Sequence, residues 1–223
     1  MFARREDLAA LLDATLLRPD AGDEEVVKLA GQARRDGCAA VCVTPQRLPA
    51  AARILRDSGT LLASTIAFPA GHATLPTKRF AAQEAVRLGA HELDVVCDLD
   101  SVRRGDINAL EREMGELMAC TPQAVHKFII EVAWLPAAAW RSLGEALRRL
   151  RPAFVKTGTG VNAGPVTVEQ VRRLRDVIGD EVAIKAAGGI NTLQGAFELA
   201  RAGASRLGTS AATDLLAAWD LRR

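Results

Sequence analysis

Metal ligands are scarce in this sequence and poorly spaced. The three histidines are scattered, and Cys38, Cys42, Cys97 and Cys120 contain no Cys-x-x-Cys pair. That pattern argues against a metal site and against a disulfide-stapled scaffold, and points to a reducing, cytoplasmic home. No apolar run reaches the roughly 18 residues a bilayer crossing needs. The opening Met1-Phe2-Ala3-Arg4-Arg5-Glu6-Asp7 lacks the apolar core of a signal peptide, so neither a span nor a leader is expected. Charge of one sign is lacking too. Lys and Arg total 29 against 27 Asp and Glu, with no basic block to track a phosphate backbone, so no nucleic-acid partner is expected. Aromatics make up only 4%, yet 49% hydrophobic and 25% charged residues mark a globular chain rather than a disordered one. A domain of this length buries roughly 70% of its unfolded surface, enough for a core without cross-links.

What the chain does have is a repeated unit: a short apolar run, then an amphipathic stretch. The runs Leu11–Leu17, Ala39–Thr44, Leu61–Phe68, Glu92–Leu99, Val125–Val132, Ala153–Gly158, Val182–Ala187 and Ser205–Gly208 read as strands. Helices are expected over Asp23–Arg35, Arg47–Asp57, Thr77–Leu88, Asp106–Met118, Pro136–Leu150, Thr167–Ile178, Thr192–Arg201 and Ser210–Trp219. Pro76-Thr77, Asp106, Pro136 and Thr167-Val168-Glu169 supply start signals, and Gly37, Gly59, Gly89, Gly179 and Gly203 supply stops. Eight such units fit an α/β fold, either a (β/α)8 TIM barrel or a doubly wound open sheet. No Gly-x-Gly-x-x-Gly follows the first strand, and polar residues recur at strand C-termini. Both favour the barrel, as one domain over residues 1–223.

Lysine inside strands is the feature that carries chemistry, because lysine is rarely buried unpaired. Lys127 lies in Val125-His126-Lys127-Phe128-Ile129, Lys156 in Phe154-Val155-Lys156-Thr157-Gly158, and Lys185 in Val182-Ala183-Ile184-Lys185-Ala186. Strand alternation sends Val155 and Ile184 toward the helices and Lys156 and Lys185 toward the barrel axis, near the C-terminal face where barrel enzymes work. Two ammonium groups in one small lumen disfavour each other's charge, and a neutral amine attacks carbonyls. Asp94, inward between outward Leu93 and Val95, supplies a carboxylate for proton transfer. A single strand lysine serves equally well as a structural ion-pair partner; two on adjacent strands with an inward aspartate favour a reactive site.

Glycine-rich strand ends complete the pattern. Lys156-Thr157-Gly158-Thr159-Gly160, Ala187-Gly188-Gly189-Ile190-Asn191 and Gly208-Thr209-Ser210 close the sixth, seventh and eighth strands. Such loops bring backbone N–H groups close to an anion, and in barrels the last two strands carry the usual phosphate site. Lysine nucleophile, proton partner and phosphate cradle together describe a Schiff-base aldolase acting on a phosphorylated sugar.

The chain also resembles the deoxyribose-phosphate aldolase family, class I aldolases, over nearly its whole length. Leu12-Asp13-Ala14-Thr15-Leu16-Leu17 is similar to that family's first strand, Ala40-Val41-Cys42-Val43-Thr44-Pro45 to its second and Phe68-Pro69-Ala70-Gly71 to the end of its third. Gly89-Ala90-His91-Glu92-Leu93-Asp94 resembles its fourth-strand motif and Lys127-Phe128-Ile129-Ile130-Glu131 its fifth strand. Phe154-Val155-Lys156-Thr157-Gly158-Thr159-Gly160 and Lys185-Ala186-Ala187-Gly188-Gly189-Ile190 are the most specific matches.

The resemblance implies that Lys156 forms the Schiff base, that Lys185 tunes it by charge and joins Asp94 in proton transfer, and that 2-deoxyribose 5-phosphate is cleaved to acetaldehyde and glyceraldehyde 3-phosphate. It implies that Asp13, Thr15, Cys42, Lys127 and Thr159 line the substrate pocket and that Gly160, Gly188, Gly189 and Ser210 hold the phosphate. No metal and no cofactor are implied; the partners are phosphorylated sugars and aldehydes, and the assembly a homodimer or homotetramer. A face around Trp134, Leu135 and Trp140 could serve such an assembly or simply cap the core. Departures from the family pattern are Ala14 for a frequent His, Asp98 for a frequent Asn, Val132 for Thr, and Ala211 for a second Ser. The terminal Tyr of some longer members has no counterpart, since the chain contains no tyrosine and stops at Arg223. Asp98 is expected near the site, where it would oppose an anion. On the residues alone two other readings stay open: a Schiff-base lyase for another phosphorylated aldose or acceptor aldehyde, and a non-catalytic sugar-phosphate-binding barrel.

Overall fold

In the computed structural model, which describes residues 3–222, eight parallel strands close into a barrel in the order β1 to β8, with β8 pairing back onto β1. The strands are β1 (Leu12–Leu16), β2 (Ala40–Val43), β3 (Leu61–Ile66), β4 (Glu92–Val96), β5 (Val125–Ile129), β6 (Phe154–Lys156), β7 (Ala183–Ala187) and β8 (Arg206–Thr209). The helices are α1 (Arg5–Ala9), α2 (Asp23–Asp36), α3 (Leu48–Leu55), α4 (Leu75–Arg87), α5 (Leu99–Arg104), α6 (Ile107–Cys120), α7 (Trp140–Leu150), α8 (Val168–Ile178), α9 (Leu193–Arg201) and α10 (Ala212–Asp220). The open-sheet reading is thereby excluded. Met1, Phe2 and Arg223, which bound the expected 1–223 domain, lie outside the described residues. Among the described residues no helix is long and apolar enough to cross a membrane.

Local chemistry accounts for most helix boundaries. α2 opens on Asp23, Glu24 and Glu25 and closes on Arg34 and Arg35, matching the helix dipole, before Gly37 turns left-handed at φ 71. Thr167 and Gln170 form a reciprocal capping box on α8, and Thr192 caps α9 through the Gly195 N–H. Gly59 does not stop α3: the helix ends at Leu55, and the left-handed residue is Asp57, at φ 55. Pro136–Leu150 is likewise a one-turn 3-10 segment at Ala137–Ala139 followed by α7.

Six of the eight strands end sooner than their apolar runs, while β7 ends with its run at Ala187 and β8 continues one residue further, to Thr209. β3 stops at Ile66 because Ala67 takes φ 56, and β5 stops at Ile129 because Glu131, two residues on, takes φ 53. Leu99, at the end of the expected fourth strand, instead begins α5. Outward residues of the strands, among them Leu93, Val95, Phe128, Val155 and Ile184, are fully buried in the apolar layer under the helices. Each such side chain contributes about 1.5–3 kcal/mol by leaving water. α7 and α8 pack so closely that a Cβ on Gly144 would strike the Val177 carbonyl, which is why glycine interrupts an otherwise strong helix face.

Candidate active site

Strand alternation leaves one face of each strand for the barrel interior, and here that face is charged. Asp13 comes from β1, Glu92 and Asp94 from β4, Lys127 from β5, Lys156 from β6, Lys185 from β7 and Arg206 from β8. Register sets neighbours: Asp94 lies beside Lys127, Lys156 beside Lys185, and Lys185 beside Arg206. Gly208 makes the room, since a Cβ there would approach Lys185 Cε to 3.0 Å.

The cluster is one continuous ion-pair network. Lys156 Nζ donates to Asp94 Oδ2 at 2.8 Å, and Lys185 Nζ donates to the same oxygen at 2.6 Å while lying 2.5 Å from Asp13 Oδ2. Lys127 Nζ donates to Asp13 Oδ2 at 3.0 Å and to Glu92 Oε2, and lies 3.3 Å from Asp94 Oδ1 without hydrogen-bond geometry. Arg206 closes the floor on Asp13 Oδ1 at 2.6 Å and Glu92 Oε2 at 2.9 Å. Four cations thus face three carboxylates in a space with almost no solvent.

Electrostatics follow from that packing. Burial raises the Asp94 carboxyl, but Lys127, Lys156 and Lys185 outweigh it and hold the group well below the usual carboxylate range. Asp13 is held down in the same way by Lys127, Lys185 and Arg206. Burial would lower Lys185, yet Asp13 and Asp94 outweigh that and raise it, so Lys185 is a fixed cation at neutral pH. The crowding of ammonium groups expected from sequence is therefore answered by carboxylates. Burial, with Asp94 adding, pushes the Cys42 thiol up to about 11, so it is no nucleophile near neutrality.

Above the network opens a cavity of about 440 Å³ at the C-terminal ends of the strands. Of the expected site residues, Thr15, Lys156, Thr159, Gly160, Gly188, Gly189 and Ser210 line it. Asp94, Lys185, Asp13, Cys42 and Lys127 do not; all five are fully buried beneath it. For Asp13, Cys42 and Lys127, expected on the pocket wall, the reason is depth: Thr15 sits two residues further along β1 than Asp13 and covers that layer. Lys156 is the one member of the network that reaches the cavity.

The cavity's far wall is backbone. Gly160, Gly188 and Gly189 all have positive φ, at 74, 115 and 69. A Cβ on Gly160 would come within 2.9 Å of Gly188 Cα, and one on Gly189 within 2.8 Å of Pro165 Cβ. Ser210 stands just ahead of α10, at the positive end of that helix. Arg18 and Val161 also line the cavity from loops without a motif, and Phe68 and Asn191 line it from motifs in which they were given no role.

Three of the four departures fall away from the cavity, whereas Ala211 directly follows the cavity-lining Ser210 and its N–H donates to Thr209 Oγ1 at 2.9 Å. Ala14 faces the apolar layer, and Val132 is buried in a 3-10 turn. Asp98 does not line the cavity; it caps α5, accepting from Asp100 N at 3.3 Å and Ser101 Oγ at 2.6 Å. Leu135 and Trp140 are buried, with Arg173 stacked 4.3 Å from the Trp140 ring, and Trp134 is exposed. Among the described residues no group of three or more His, Cys, Asp or Glu is placed to hold a metal.

A closed barrel with one cavity-facing lysine backed by a buried carboxylate fits an aldolase of the Schiff-base class. The family model of the DeoC/LacD family aldolases matches residues 8–212, and the chain belongs to that family. It is 40% identical to the deoxyribose-phosphate aldolase of Trichormus variabilis over 210 residues, covering 94% of this chain and 92% of the relative. It is 38% identical to that of Thermococcus gammatolerans over 208 residues, covering 92% of each. The tetrameric deoxyribose-phosphate aldolase structure from Aeropyrum pernix superposes with a TM-score of 0.91 at 32% identity, over 98% of this chain and 93% of that one.

Proposed function

We propose that this aldolase reversibly cleaves 2-deoxyribose 5-phosphate to acetaldehyde and glyceraldehyde 3-phosphate, with Lys156 as the Schiff-base residue. The carrying observation is that Lys156 alone of the buried network opens onto the cavity, 2.8 Å from Asp94. Its amine, once deprotonated, attacks the aldehyde carbon of the open-chain sugar, and loss of water gives an iminium. Removal of the proton from the C3 hydroxyl then breaks the C2–C3 bond, releasing glyceraldehyde 3-phosphate and leaving an enamine on Lys156. Protonation of the enamine carbon and hydrolysis release acetaldehyde. Asp94, against the amine, and Lys185, on the same carboxylate oxygen, are the proton-transfer pair.

The phosphate is assigned to Gly160, Gly188, Gly189 and Ser210, and the rest of the substrate to Thr15 and Thr159, all on the cavity wall. Asp13, Cys42 and Lys127 support the site from below. We assign the protein to the cytoplasm, a reading supported by four free cysteines, and to a homodimer or homotetramer, which light scattering tests directly.

Borohydride reduction in the presence of acetaldehyde tests the central assignment. A stable adduct on Lys156 is expected, lost in Lys156→Ala; an adduct elsewhere, or none, refutes it. Comparing deoxyribose 5-phosphate with other phosphorylated aldoses tests the substrate.

A further inference from the structure

Glu131 is a buried carboxylate with no part in the chemistry above. It lies two residues past β5, is 2% exposed, and holds a left-handed backbone (φ 53, ψ 59) that non-glycine residues avoid unless their surroundings enforce it. Its side chain does not line the cavity above Lys156. Its Oε2 accepts from Thr159 N at 3.2 Å and from Thr159 Oγ1 at 2.8 Å. Thr159 Oγ1 in turn accepts from Val161 N at 3.1 Å and Asn162 N at 3.0 Å. Asn162 Nδ2 donates to Pro69 O at 2.8 Å, tying the loop to the end of β3.

One carboxylate therefore anchors the segment whose inner face, Thr159, Gly160 and Val161, walls the cavity. The identity of Gly158 has the same origin, for a Cβ there would collide with Glu131 Oε1. Lys156 is placed independently of this loop, by its pairing with β5 and β7.

We infer that Glu131 is a positioning residue for phosphate recognition: through Thr159 it fixes the loop that presents Gly160 to the phosphate monoester, without touching substrate or amine. The inference rests on the sugar-phosphate reading of the cavity. Length matters more than charge here, because a single carbonyl oxygen in the place of Oε2 accepts both bonds. Glu131→Gln therefore keeps the loop, whereas Glu131→Asp, one methylene shorter, releases it while remaining a modest change for folding.

The test measures inorganic phosphate affinity by calorimetry, KM for deoxyribose 5-phosphate, and acetaldehyde trapping on Lys156. Glu131→Asp is expected to weaken phosphate binding and raise KM about tenfold or more, with trapping yield unchanged, and Glu131→Gln to stay within about threefold of the parent. Unchanged phosphate affinity in Glu131→Asp overturns the inference, as does a parallel loss of trapping, which would make Glu131 a general scaffold residue. A parent protein whose phosphate affinity depends on Glu131 yet which forms no adduct sinks the aldolase assignment alone, so the two failures are separable.

Discussion

Lys156 and Lys185 converge on a single oxygen, Asp94 Oδ2, at 2.8 and 2.6 Å. They are direct neighbours across the β6–β7 ladder, so the sheet register and not a flexible loop sets this arrangement. Asp94 is the shared counter-ion of a cavity-facing lysine and a sealed one. With Asp13 on its other side, Lys185 stays charged, and under the proposed mechanism it acts through Asp94 without itself meeting substrate.

From that follows the expected behaviour of Lys185→Met. Removing a proton-transfer partner costs roughly 10²–10⁴-fold in rate. Retro-aldol turnover should fall by that order, while the residual borohydride adduct still maps to Lys156. Turnover within tenfold of the parent, or an adduct found at position 185 in the parent, contradicts the division of labour between the two lysines.

Much of this site is legible without coordinates, and the reasons are specific. Strand alternation alone turns Lys156, Lys185 and Asp94 inward, and glycine beside a strand end marks the loops that wall the cavity. What stays hidden is pairing across the barrel. Asp13 and Arg206 are separated by 193 residues yet share a salt bridge, and only the register of β8 on β1 brings them together. For the same reason the crowding of lysines reads from sequence as relieved by Asp94 alone, when Asp13 and Glu92 also pair with the cluster. Short elements are also silent: α1 has five residues and α5 six, too few turns for a helical period to register. Left-handed Ala67 and Glu131 end strands early although neither residue type announces it.

His126 gives the protein a predictable response to acid. It sits on the outward face of β5, 5% exposed, with Nε2 2.9 Å from Thr121 Oγ1 and its ring stacked on Phe128. Burial, only partly opposed by nearby backbone, holds the imidazole below its ordinary value. The unfolded chain, at about 6.5, binds the proton more readily than the folded one. The contribution is thus present above that pH and lost as pH falls through the folded value. Asp13 and Asp94 have the same sign but act in a lower window, below about 4. Thermal unfolding followed from pH 7 down to pH 5 should show a falling Tm, and His126→Gln should flatten that slope; equal slopes in both proteins remove His126 as the cause.

Lys127 separates architecture from chemistry. It is fully buried, touches no part of the cavity, and holds Asp13 and Glu92 by hydrogen bonds with Asp94 3.3 Å away. Burial lowers its pKa, but Asp13 and Asp94 outweigh that and raise it, so it remains a cation within the floor of the barrel. Breaking a buried ion pair from one side typically costs about 3–5 kcal/mol, because the abandoned charges stay desolvated. In a chain of this length about 1 kcal/mol corresponds to roughly 2–4 °C in Tm. Lys127→Met should therefore lower Tm by on the order of 10 °C, while the fraction that remains folded at low temperature still traps acetaldehyde on Lys156. A variant as stable as the parent but with a raised KM would instead return Lys127 to the pocket wall.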